Sequence, residues 1–240
     1  MKKIEGFFSS DLNSTKWSTI RLFVMGRTSD ADQRLMDAAL ELVWSQSYGA
    51  VTIDDICKRA EVKKGSFYYY YDSKEQLAVA ALERMWAEDW KPRMDEIFSA
   101  SLEPLDRLKA YLAGIHRRSA ETKARVGRMI GCPVASVGSE VSTQDGCVCA
   151  KTREILGRKR RYVESAIREA MANGSIESGD PIKRSLVLAS LIEGMMLQAR
   201  MLNDPEILKD LVEMGLEILR VRASGSEVSS EPAPALPQAI

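Results

Sequence analysis

Between Thr52 and Lys74 the chain runs TIDDICKRAEVKKGSFYYYYDSK, and no other stretch restricts the fold as strongly. Thr52 followed three residues later by Asp55 is a capping box, and Ile53 and Ile56 face inward, so a short helix is predicted from Thr52 to about Ala60. Glu61 and Val62 make a turn, and Lys63 to Tyr70 make a second helix of about two turns. Ser73 with Gln76 caps the next helix, whose Leu77, Ala80, Ala81, Met85 and Trp86 carry an apolar face to about Trp90; Pro92 bends or ends it.

Two short helices across a tight turn are the shape of an element that reads DNA. A reading helix lies in a major groove about 12 Å wide, held there by a preceding helix that crosses the backbone. Thr52 offers a hydroxyl and free amides to a phosphate. Lys63 and Lys64 open the second helix, the end that meets base edges, and Gly65 lets the backbone come close. Ser66 can donate or accept, Tyr68 and Tyr69 offer hydroxyls to phosphate and rings to a thymine methyl, and Lys74 is a further phosphate contact. Phe67 and Tyr71, four apart, are expected to be buried anchors.

Charge supports the same placement. The whole chain balances 34 basic against 34 acidic residues, which argues against a non-specific nucleic-acid coat. Between Lys58 and Lys74, however, five basic residues face two acidic ones. Hydrophobic content of 45% with 28% charged is that of an ordinary globular protein. No uninterrupted apolar run approaches the roughly 18 residues of a membrane span, and the N-terminus lacks the apolar core of a signal peptide, so the cytoplasm is the expected address. The four cysteines are expected as thiols there.

Along the rest of the chain only helical periodicity is visible. Residues 1–27 read as a flexible extension, and Met25, directly before GRTSD and a capped helix, is a candidate natural start. The first helix is predicted from about Ala31 to Ser47 with Gly49 as a left-handed stop. Further helices follow from Pro104, from Gly131 to Val141 and from Gln144 to Ala172. Two more start at Asp180-Pro181 and Asp204-Pro205, each a capping Asp before Pro. The predicted fold is all-α: a helix-turn-helix DNA-binding domain of three helices at residues 28–90, a helical effector-binding and dimerisation domain at 91–222, and a disordered tail at 223–240.

The run TIDDICKRAEVKKGSFYYYYDSKEQL resembles the helix-turn-helix of the TetR family of transcriptional regulators over about residues 30–90. Helix lengths, Gly65, the aromatic cluster and the Lys74-Glu75 pair agree. Cys57 stands where that pattern has Ala, Glu61 where it has Gly, and Lys63 where Ser or Thr is common. The resemblance implies a homodimeric repressor on a palindromic operator, released when a small molecule or a cysteine modification shifts the C-terminal domain. The Gly131-Cys132 pair resembles a subgroup that senses electrophiles or oxidants at this cysteine.

Other residues admit a plainer reading beside the functional one. Cys132 is either a sensor activated by Arg125 or Arg128 or a small buried hydrophobe. Trp86, Trp90, Tyr111, His116, Met129, Met195 and Met196 either line a ligand cavity or are ordinary core. The basic cluster from Arg158 to Tyr162 reads as a solvated helix face. A zinc site from His116, Cys132, Cys147 and Cys149 has unusual spacing, so neither metal nor cofactor is expected. The last two helices expose apolar faces suited to a four-helix dimer interface. Nothing suggests an enzyme, with one histidine and no glycine loop to cradle phosphate. A helical adaptor that does not bind DNA is the remaining alternative.

Overall fold

The computed structural model describes residues 30–143 and 146–222. The readings of residues 1–27, of Met25 as a start and of the tail at 223–240 lie outside the described residues. Within them the chain is helical, as its periodicity demands.

The first helix, α1, spans Asp30–Ser45, followed by α2 at Ile53–Ala60, α3 at Lys64–Tyr70 and α4 at Lys74–Met85. The predicted capping box is present: Thr52 Oγ1 accepts from the Asp55 amide at 3.1 Å while the Asp55 carboxylate accepts from the Thr52 amide at 3.0 Å. Leu35, Ile56, Phe67 and Leu77, one from each helix, are fully buried against one another. The Tyr71 ring joins them and its hydroxyl donates to Asp32.

Glu61, which stands where the family pattern has Gly, closes α2 in the left-handed region at φ 54°. A side chain there costs about 1–2 kcal/mol, part of which a more flexible glycine would give back through chain entropy. Replacing Glu61 by Gly is therefore expected to raise stability by about 0.5–1 kcal/mol in urea unfolding. A loss of stability would mean that Glu61 makes contacts worth more than its strain.

Gly49 does not stop α1 in the left-handed region, contrary to expectation. Its amide instead donates to the Glu140 carboxylate, and a Cβ there would lie 2.8 Å from Glu140 Oε1. Close approach, rather than a positive φ, explains the glycine. Pro92 does not end the helix that precedes it either. One π turn at Trp86–Trp90, in which the Lys91 amide reaches Trp86 O, absorbs the missing donor, and the chain runs on into α5 at Lys91–Ile97.

The remaining helices are α6 at Pro104–Val126, α7 at Pro133–Glu140, α8 at Cys147–Ala172, α9 at Pro181–Leu202 and α10 at Leu211–Leu219. Asp180 caps α9 as predicted. Asp204 caps only one 3-10 turn at Pro205–Leu208, and α10 restarts at Leu211. Leu108, Leu112, Ile167, Leu188, Leu208 and Leu211 form the centre of this half. Head and body also share a core, because Tyr48, Ala78, Leu82 and Trp86 pack against Val134, Val137, Val148 and Ile155.

On α9, Ile182, Leu186, Leu197 and Met201 are exposed. By length and composition this helix could cross a membrane, although Lys183, Arg184, Glu193 and Arg200 interrupt it. An apolar stripe on a helix packed to its own core along Ser185, Leu188, Ile192 and Ala199 is the mark of a helix with two partners.

Candidate nucleic-acid interface and effector site

Helix α3 stands out from the head with its polar face bare. Lys63, Lys64 and Gly65 are exposed, Ser66 is half-buried, and Tyr68 and Tyr69 are 53% and 81% exposed. Phe67 alone of this run is fully buried and fixes the rotation of the helix. Gly65 has nothing within 4 Å of an added Cβ and no positive φ. The folded chain therefore gives no internal reason for glycine at that position. Lys63 occupies the N-cap of α3 without a side-chain cap bond, a job Ser or Thr would do. Lys64 Nζ pairs with Asp54 Oδ1 at 2.8 Å, between side chains that are both solvent-exposed.

The side chains of two residues expected at phosphate, Thr52 and Lys74, are held by the chain itself. The Thr52 hydroxyl donates to Asp55 at 2.6 Å and accepts from the Asp55 amide, so both its functions are committed to the cap. Lys74 turns inward: its Nζ donates to Tyr48 O at 2.9 Å and Val51 O at 3.0 Å and lies 4.3 Å from the Tyr48 ring centre. That ammonium closes the loop between α1 and α2, whose carbonyls would otherwise lack partners.

In the C-terminal half, a polar group sits inside apolar surroundings. Lys159, on α8, has Glu193 Oε1 at 3.6 Å and its Nζ 5.5 Å from the Trp90 ring centre, with Tyr111 and Cys132 acting on it as well. Burial opposes the charge of Lys159, but Tyr111, Cys132 and Glu193 outweigh it and hold the ammonium above the ordinary lysine range. Tyr111 is pushed up by burial, against the pull of Lys159. Rings surround the group, with Phe98 5.5 Å from Tyr111 and 5.8 Å from Tyr162, and Trp86 6.4 Å from Tyr162.

Cys132 lies at the edge of this group and caps α7, its Sγ accepting from the Ala135 amide at 3.4 Å. Burial pushes its thiol up to about 11, with the Lys159 charge only partly offsetting. The expectation that Arg125 or Arg128 lowers it is thereby corrected: both are exposed, and the cation that acts on the sulfur is Lys159. At neutral pH the residue is a thiol.

Of the predicted ligand-lining residues, Trp86, Trp90, Tyr111 and Cys132 are brought together around Lys159 and Tyr162. Met195 packs at the margin of the large core, while Met196 touches both that core and the one shared with the head. His116 is placed elsewhere, its Nε2 3.6 Å from Glu206 Oε1. Met129, buried in the large core, also borders a groove of about 330 Å³ with Trp44, Arg128 and Arg200. The four residues weighed for zinc are not gathered: among the described residues no His, Cys, Asp and Glu group is arranged for a metal. Cys149 is buried and Cys147 exposed.

Lys159 and Glu193 escaped the sequence reading, which took the basic cluster as solvated. The cluster divides instead. Arg160 and Arg161 are exposed, Arg158 pairs with Glu83 at 2.8 Å, and Lys159 turns inward. The signal was present, since Lys159 lies four residues after Ile155 and four before Val163, both buried.

Helix α7 ties this interior to the reading head at both ends. Before it, the carbonyls of Ile130 and Gly131 accept from Trp44 Nε1 at 3.2 and 3.1 Å. At its far end, the Glu140 carboxylate accepts from the amides of Tyr48, at 2.8 Å, and Gly49. Lys151 and Arg158 of α8 add a bridge to Glu83 of α4 at 3.0 and 2.8 Å.

A three-helix head presenting a bare basic and aromatic helix, joined to a helical body with a polar interior, defines a one-component DNA-binding regulator. The comparisons with known proteins agree. Residues 35–81 match the model of bacterial regulatory proteins of the tetR family, and residues 104–214 that of the tetracyclin repressor-like C-terminal domain. The transcriptional regulator AcuR of Cereibacter sphaeroides is 33% identical over 179 residues, covering 73% of this chain and 79% of that protein. The HTH-type transcriptional repressor NemR of Escherichia coli is 27% identical over 187 residues, covering 75% and 89%. Among solved structures, a regulatory protein TetR from Rhodobacter sphaeroides aligns with a TM-score of 0.70 at 30% identity over 79% of this chain and 99% of that one. The reduced form of Escherichia coli NemR gives 0.70 at 26% over 82% and 100%. The chain belongs to the TetR family of transcriptional regulators. It is a DNA-binding regulator of transcription and not an enzyme, in a family whose members bind operator DNA, dimerise and respond to small molecules.

Proposed function

We propose that the chain is a repressor that works in the cytoplasm as a homodimer on a palindromic operator. Lys63, Lys64, Gly65, Ser66 and Tyr68 face the bases and Tyr69 the phosphates. The observation that carries this assignment is Gly65, a glycine that the folded chain does not require on an exposed helix beside two lysines. In this reading the head ends near residue 90 and the body holds effector and partner. Dimerisation runs through α9 and α10, where Leu186, Leu197, Met201 and Met214 are exposed among the described residues.

The effector enters the space around Trp86, Trp90, Tyr111, Cys132 and Lys159. Disturbing the cap of α7, by a ligand or by modification of Cys132, moves Trp44 and the loop at Tyr48-Gly49 that Lys74 also holds. The head spacing then leaves the value the operator needs, which requires that the effector favour the spaced-out state.

Lys64 and its partner Asp54 supply the test. In a gel shift or anisotropy titration with the operator, Lys64→Ala is expected to weaken binding and reduce the salt slope by about 1 per contact. Asp54→Ala, by freeing the ammonium from its ion pair, is expected to tighten binding. Equal affinities for all three proteins across a salt series would remove α3 from the interface.

A further inference from the structure

Glu140 stands where a helix gains least from a carboxylate. It is the last residue of α7, at the negative end of the helix dipole, and both its oxygens reach out of the helix to the head. Oε2 accepts from the Tyr48 amide at 2.8 Å and Oε1 from the Gly49 amide, 92 and 91 residues away along the chain. Gly49 is fitted to this bond. Its backbone is not left-handed, and an added Cβ would lie 2.8 Å from Oε1 and meet, beyond its chain neighbours, only that carboxylate within 4 Å.

The held loop leads straight to the reading helix. Tyr48 is fixed on both sides, its amide by Glu140 and its carbonyl by Lys74 Nζ at 2.9 Å, and Lys74 opens α4 four residues after α3 ends at Tyr70. Before the other end of α7, Trp44 Nε1 donates to Ile130 O and Gly131 O at 3.2 and 3.1 Å. Elsewhere head and body touch through apolar side chains such as Leu82, Trp86, Val137 and Ile155, contacts that are not directional. The bridge from Glu83 to Lys151 and Arg158 joins long side chains that follow a tilt. Hydrogen bonds to backbone are directional, so two such anchors along one helix define an angle, and with one removed the head pivots about the other.

We propose that Glu140 is a positioning residue for operator binding. It sets the tilt of the head on the body and, in the dimer, the distance between the two reading helices. The proposal rests on the reading that the chain binds a palindrome as a dimer. Loss of Glu140 spares the contacts of a single head and removes the advantage of binding with two. Linked heads gain about 10²–10⁴ over one only where their spacing matches the half-sites.

The experiment compares the parent, Glu140→Ala, Gly49→Ala and the double variant on a full operator, selected with the parent from a randomised duplex pool, and on a duplex with one half-site. Both single variants are expected to weaken full-operator binding about 10-fold or more and to leave half-site binding unchanged. The double variant is expected to lose no more than Glu140→Ala, since the methyl group acts only by pushing the carboxylate away. One base pair added between the half-sites is expected to cost the variants less than the parent. Hydrogen exchange at the Tyr48 and Gly49 amides should quicken while α3 keeps its protection, a sign that the head stays folded. Full-operator affinity retained in Glu140→Ala, or losses that add in the double variant, would overturn the proposal. Equal losses on half-site and full operator would overturn it too, because Glu140 would then merely stabilise the head. A parent that binds one half-site as tightly as the full operator would dismiss the dimer reading and the proposal with it, whereas variants that keep the parent's two-site gain dismiss the proposal alone.

Discussion

Glutamates at Leu186 and Leu197 of α9 are expected to turn the dimer into monomers and to lower operator affinity by about 100-fold or more. Both side chains are over half exposed, at 52% and 56%, so neither supports the fold of the single chain. They share a stripe with Ile182, Ser190, Gly194 and Met201, spaced by three and four residues, and the small residues midway let a second helix approach closely. Each leucine covered by a partner contributes about 1.5–3 kcal/mol, and two carboxylates on each side would add repulsion. The DNA effect follows because linked heads bind two half-sites with a gain of about 10²–10⁴ over one. Light scattering after size-exclusion chromatography reads the first consequence and a gel shift the second. A dimer mass unchanged in the double variant would move the interface off α9.

Gly65→Ala is expected to separate stability from function. Nothing lies within 4 Å of the new methyl group and the backbone is not left-handed, so the fold accepts it. Helix propensity even favours it, by up to about 1 kcal/mol. Operator affinity should nevertheless fall by about 10-fold or more, since the methyl group holds α3 away from the groove and lengthens the contacts of Lys64 and Ser66 together. Thermal unfolding and a binding titration on the same sample decide it. A variant that binds as tightly as the parent would show that α3 never meets DNA at Gly65, whatever its role elsewhere.

The features legible in the sequence were those set by neighbours within a turn or two. Thr52 with Asp55, Ser73 with Gln76 and Asp180 before Pro181 each cap a helix by bonds between residues two or three apart, and all three appear in the structure. Periodicity placed Phe67 and Tyr71 in the core for the same reason. Pro92, expected to bend or end its helix, does not end it, because its cost depends on whether the preceding turn can widen, which Trp86–Trp90 does.

By itself, then, the sequence determined that this chain is a helical regulator with a helix-turn-helix, and which face of α3 is polar. Helix spacing and capping are local, and they leave few ways to fold such a stretch. The tertiary structure decided what the charged groups do. It spent Lys74 and Thr52 inside the head and turned Lys159 inward. It also joined Trp44 and Glu140 across 87 and 91 residues of chain to the loop and amides they hold. Helical spacing can give the inward face of a charge such as Lys159, but the partner that sets its role is whichever group the packing of distant helices brings within about 4 Å.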